Sequence, residues 1–213
     1  MKTDDLIEML TTNLEPVDHR QVMRTVGMAV MAGTAVALGV MLLLFGVRAD
    51  LNATSALIFL LLKLAFTMAL IIPASIYLLR LARPGGERKV PMTFVAAPFI
   101  AIVLLAAISL AFAPISHWDS MIVGDRWLEC LLSIPVIAIV PFAVIIWALR
   151  RMAPTDLVRA GALGGLVAGA VSAAGYALHC SDDSLPFVAL WYGGTIAICT
   201  AAGALLGPRL LRW

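Results

Sequence analysis

Two cysteines, Cys130 and Cys180, are the residues of this chain best suited to chemistry. Cys130 follows Trp127-Leu128-Glu129, and Cys180 sits in His179-Cys180-Ser181-Asp182-Asp183. A thiol pair supports two reactions. It closes a disulfide in an oxidising compartment, or it captures a soft metal ion, with His179 as a third ligand, because soft cations favour sulfur and imidazole. Asp125, Glu129, Asp182 and Asp183 lie nearby in sequence. Their charge, added to burial at a membrane edge, would raise a thiol pKa and slow oxidation while attracting cations. Cys199 lies inside an apolar run and reads as packing. Lys63 is the one charge deep in an apolar run, and such a residue is a functional candidate by default. It stands only about seven residues from the outer end of its helix, so its stem is expected to snorkel to the interface. No Walker loop, H-E-x-x-H or G-x-S-x-G motif occurs. The chain is therefore read as a non-enzyme with no cofactor.

The elements that position these residues follow from composition. Of 213 residues, 62% are hydrophobic and 13% charged, where a soluble domain is nearer half apolar and a quarter charged. That composition belongs to an integral membrane protein with the lipid bilayer as its main surroundings. A net charge of +2 argues against direct nucleic acid binding through a basic surface. The polar start lacks a secretory signal peptide, and no lipidation motif is present.

Six apolar runs are long enough to cross a bilayer: Thr25–Val47, Ala56–Leu79, Val90–Ala113, Leu128–Ala148, Leu157–Leu178 and Pro186–Leu206. With no strand alternation, the fold class is all-α, a bundle of six transmembrane helices preceded by a short amphipathic helix. The connections are short, so successive helices are expected to be antiparallel neighbours. Twelve Lys and Arg fall on one side, in the N-terminal segment, the second and fourth loops and the C-terminal tail. Only Arg48 and Arg126 fall on the other. The positive-inside rule then makes both termini cytoplasmic and puts Cys130 and Cys180 outside. Trp118, Trp127 and Trp191 read as anchors at the outer interface. Counting outward from the turn near Pro154, the two cysteines are about 24 and about 26 residues away, ~36 and ~39 Å along their helices. If these helices pack side by side, the thiols stand at one height, at a separation a disulfide can span.

Gly161, Gly165 and Gly169 recur every fourth residue in the fifth run, and Gly203 and Gly207 in the sixth. Such stripes let helices approach closely. They read as packing within the bundle, with a homo-oligomer interface as the alternative. Residues 1–24 form a separate cytoplasmic segment and 25–213 the membrane domain. In that segment Leu6, Ile7, Leu10 and Leu14 make one apolar helical stripe, Thr3 is a candidate N-cap, and Asp4 and Asp5 occupy the first turn. A membrane-surface helix is normally basic on its polar face. This one is acidic, with Asp4, Asp5, Glu8, Glu15 and Asp18 against Lys2, Arg20 and Arg24. It fits better as a docking element for a cytoplasmic partner.

With its opening Met1-Lys2-Thr3-Asp4-Asp5-Leu6-Ile7, the Pro16-Val17 that follows, six spans and two outer cysteines, the chain resembles the NrsF-type bacterial anti-sigma factors. The resemblance implies an inner-membrane protein that holds an extracytoplasmic-function sigma factor inactive through the N-terminal helix. It also implies that Cys130 and Cys180 take part in sensing, and their thiol chemistry makes heavy metal or oxidative stress the expected signal. A zinc-type His-x-x-x-Cys-x-x-Cys anti-sigma domain is absent from the cytoplasmic part. The rival expectation is a small membrane transporter or metal-efflux component, resting on Lys63, the outer Asp and His residues and the prolines within the spans.

Overall fold

The six apolar runs fold as six long helices because lipid offers the backbone no hydrogen-bond partner, and a helix satisfies every interior N–H and C=O within itself. The computed structural model describes residues 19–50, 53–82, 93–152 and 154–212. In it α1 is His19–Leu44, α2 Thr54–Leu81, α3 Thr93–Phe112, α4 Trp127–Arg150, α5 Leu157–Tyr176 and α6 Leu185–Leu210. Each is long and apolar enough to cross a membrane, and no strand occurs among the described residues. The all-α reading of the sequence is confirmed. The expected span limits hold to within four residues, except that α1 begins six residues early at His19 and that Val90 lies outside the described residues. Pro73, Pro98, Pro135 and Pro141 lie inside helices that continue through them. Between α3 and α4 runs a short surface helix, Trp118–Val123.

The centre of the bundle is α5. Of its most apolar stretch, 72% is buried, against 11% for α3 at the periphery. Eleven of its twenty residues are Gly or Ala, so neighbouring helices can approach its backbone closely. A Cβ added to Gly161 would strike the Gly203 carbonyl, and one added to Gly165 would strike the Cys199 carbonyl. The glycine stripes of α5 and α6 thus pack on each other within the chain, and Cys199 is part of that contact.

This centre corrects one expectation. The pairs α4–α5 and α5–α6 are antiparallel neighbours, but α1 barely touches α2. Instead α1 packs on α4 and α5, and α2 packs on α5. Short loops limit where the next helix lies, but the glycine-rich surface of α5 offers the closest approach, and both helices turn to it. The helices alternate in direction. Consequently α1 begins and α6 ends at the end opposite Cys130 and Cys180, where Arg80, Arg150, Arg159 and Arg209 also lie.

Candidate functional site

Three chain reversals converge at the cysteine end, and each is written in local sequence. The first closes α1: Gly46 adopts φ 72° and donates its N–H to the Met41 carbonyl, a left-handed cap that side chains with a Cβ rarely accept. Arg48 follows two residues later. The second precedes α4: Gly124 has φ 61°, and a Cβ there would collide with the Phe187 ring. This turn aims the backbone N–H groups of Asp125 and Arg126 at the Asp182 carboxylate, at 3.3 and 2.9 Å. The third opens α6: Ser184 Oγ accepts the Phe187 N–H and donates to the Met121 carbonyl at 2.6 Å. A π-helical turn, Val188–Tyr192, follows. It carries Trp191, whose Nε1 donates to the Ile122 carbonyl at 2.8 Å, and Tyr192, which is fully buried.

Cys130, in the first turn of α4, and Cys180, just past α5, meet in this region. Both are free thiols with no exposed surface, and they lie within electrostatic reach of each other. The expected common height is realised, because α4 and α5 do pack side by side. Tyr176 and Tyr192 complete the cluster, and neither buried hydroxyl has a partner at hydrogen-bond geometry, although Tyr192 stands beside the Cys180 thiol. Burial pushes the Cys180 thiol above its ordinary range, and the Lys63 ammonium opposes that shift.

Lys63 does not snorkel. It is wholly buried, and its Nζ donates to the Cys180 carbonyl and to Asp183 Oδ1, both at 3.1 Å. Its position on α2 faces the end of α5, where the chain has stopped being helical and offers a free carbonyl and a carboxylate. Those partners satisfy the ammonium better than a reach to the interface would.

Arg48 grips the same loop. Its guanidinium forms bidentate pairs with Asp50, at 2.6 and 2.7 Å, and with Asp183, at 2.9 and 2.7 Å. It also donates to the Cys180 carbonyl at 3.1 Å, while its backbone N–H bonds the Leu178 carbonyl. The hydrogen bonds from Arg48 hold the Asp50 carboxyl down at about 2, and the two carboxylates keep the guanidinium firmly protonated. Sequence reasoning passed over Arg48 and treated Asp182 and Asp183 as free negative charge. Both carboxylates are taken, one by backbone N–H groups and the other by two cations. The available signal was that Arg48 is one of only two basic residues on its side of the bundle.

His179 is not drawn into the thiol pair. Its Nε2 meets the Arg126 guanidinium at 3.1 Å, so it acts as an acceptor there, and its ring lies against Phe45 and Tyr176. Among the described residues no three His, Cys, Asp or Glu side chains are grouped to hold a metal ion. What the cluster can do by itself is two-thiol chemistry. Trp118 bonds carbonyls at the end of α3, and the Trp127 and Trp191 rings stack 5.2 Å apart at this end. Thr3, Asp4, Asp5, Leu6, Ile7, Leu10 and Leu14 lie outside the described residues.

Comparison with known proteins adds the partner class. Residues 10–213 match the family described as negative regulator of sigma F, NrsF. The probable anti-sigma-F factor NrsF of Azospira oryzae is 34% identical, and the anti-sigma-F factor NrsF of Caulobacter vibrioides 30%, each over the full length of both chains. No solved structure matches.

Proposed function

The chain belongs to the NrsF family of negative regulators of sigma F, and from that premise we propose that it is a membrane anti-sigma factor with periplasmic thiol sensing. It sits in the bacterial inner membrane with both termini in the cytoplasm. The helix around Leu6, Ile7, Leu10 and Leu14 holds an extracytoplasmic-function sigma factor, and Thr3, Asp4 and Asp5 start that helix. The observation that carries the reading is the end-to-end similarity to two anti-sigma-F factors. The alternating helices support it by leaving the start of α1 at the end remote from the thiols.

Signal enters at Cys130 and Cys180. Oxidation joins the two sulfurs while two electrons and two protons pass to the oxidant. A soft cation instead displaces both protons and holds two thiolates, and a third ligand such as His179 would have to leave its Arg126 contact first. Because both thiols are fully buried, neither reagent reaches them without displacing the chain that covers them. Reception and rearrangement are therefore one event. Tenfold weaker partner binding requires only ~1.4 kcal/mol of such coupling. The buried ion pair between Lys63 and Asp183 also accounts for a charge inside a span without any transport role.

Replacing Leu6 and Leu10 together by Asp tests the docking helix, since unpaired charge in an apolar contact costs several kcal/mol. The variant should accumulate in the membrane, and a sigma-dependent reporter should become constitutive. A reporter still repressed at wild-type protein levels would remove the helix from the interface.

A further inference from the structure

The 180–184 loop is fastened on opposite sides by adjacent carboxylates. Asp182 takes the backbone N–H groups at the mouth of α4, the helix that carries Cys130. Asp183 takes Arg48 and Lys63. The Cys180 carbonyl itself is held by the same two cations. Any movement that changes how Cys180 faces Cys130 must therefore pull on Arg48 or Lys63. Of these, Arg48 stands two residues after the Gly46 cap of α1, and α1, from His19, is the element next in the chain after residues 1–18. Both cations are withdrawn from water, with Arg48 and Lys63 side chains 3% and 0% exposed, which strengthens their hold on Asp183. Few contacts tie α1 to α2, which leaves α1 able to shift without carrying its sequence neighbour.

We infer that Arg48 is the positioning residue that passes the state of the Cys130–Cys180 pair to α1, and through it to the partner-holding segment. This rests on the function proposed above. Lys63 anchors the loop to α2 and serves as the fixed point against which Arg48 moves. Loss of the Arg48 side chain leaves Asp183 paired with Lys63 and Asp50 half-exposed to water. The resting bundle keeps its buried charges paired and the Arg48 backbone N–H keeps its bond to the Leu178 carbonyl, so only the side-chain link from the 180–184 loop to α1 is lost.

The test uses the full-length chain with its sigma factor in cells carrying a sigma-dependent reporter, with Cd2+ as the probe. Arg48→Gln should repress as wild type does before exposure. Cd2+ should still bind Cys130 and Cys180, read as thiolate–cadmium ultraviolet absorption of the purified variant in micelles, yet induction should fall about tenfold or more. Arg48→Lys, which keeps the charge but cannot grip Asp50, Asp183 and the Cys180 carbonyl together, should recover part of the response. Induction of Arg48→Gln equal to wild type would overturn the inference. So would derepression of that variant without Cd2+, which would make Arg48 a clasp on the resting state rather than a link. If Arg48→Gln does not accumulate, Arg48→Lys is compared directly with wild type, and equal induction overturns the inference. A wild-type chain that neither represses nor responds would refute the function reading, and the inference would fall with it.

Discussion

At the scale of single residues, the cysteine end is a problem of charge held away from water. Asp183 serves two buried cations at once, so the three residues are not equivalent. Asp183→Ala would strand Lys63 with only a carbonyl partner, at a cost of about 3–5 kcal/mol. Lys63→Met would leave Asp183 still paired with Arg48. Denaturant titration of the purified proteins in micelles should rank Asp183→Ala well below Lys63→Met, and the reverse order would refute this account of the cluster. The raised Cys180 pKa has a definite sign. On raising pH, an unfolded chain ionises this thiol first, so the fold loses stability as pH climbs through the ordinary thiol range and is unaffected below it. Alkylation of Cys180 by iodoacetamide in the native protein should accordingly stay slow at pH 8 and accelerate only at higher pH. A rate at pH 8 matching that of a free thiol would contradict the burial. Cys130 and Cys180 were legible in the sequence because each stands at a predicted helix end, and helix length alone sets their height. Arg48, Lys63 and Asp183 were not legible as a unit. They are separated by up to 135 positions, and nothing local records that they meet.

At the scale of elements, the decisive contact is backbone against backbone between α5 and α6. The neighbours of Gly165 are the Cys199 carbonyl and the Gly203 Cα, which cannot rotate aside as a flexible side chain would. Gly165→Leu should therefore prevent accumulation of the folded protein, since overpacking costs typically 1–3 kcal/mol even where side chains can adjust. Gly27→Leu, with nothing within 4 Å of an added Cβ, should accumulate normally. Comparing membrane levels and detergent melting of the two variants separates a packing role from a general intolerance of lost glycine. The stripe was legible from its four-residue period. Its reach was not: period identifies a face that invites close approach but not how many helices accept, and here α1, α2, α4 and α6 all do.

At the scale of the whole molecule, length and hydropathy were enough to place six helices, because a bilayer leaves the backbone few alternatives. Their arrangement needed the side-chain volumes of α5. The charge asymmetry makes a further statement about the assembled protein. In intact spheroplasts, after reduction, a membrane-impermeant maleimide should label a cysteine introduced at exposed Ile115, while one introduced at Arg209 should react only after membrane disruption. The opposite pattern would invert the topology. The hairpin of α5 and α6 bears on how such a molecule is made. These two helices have the lowest mean hydropathy of the six, 1.5 against 2.2 to 2.6, and they leave the ribosome after the other four. Each alone partitions into lipid less strongly than the other four, and their joined glycine faces let them enter as one unit. Until they do, α1, α2 and α4 wait in the bilayer without the surface they are shaped to pack on. The middle of the structure is thus inserted after the helices that surround it on three sides, and a nascent chain stalled before Leu157 would present quality-control proteases with four orphaned helices rather than a nearly finished bundle.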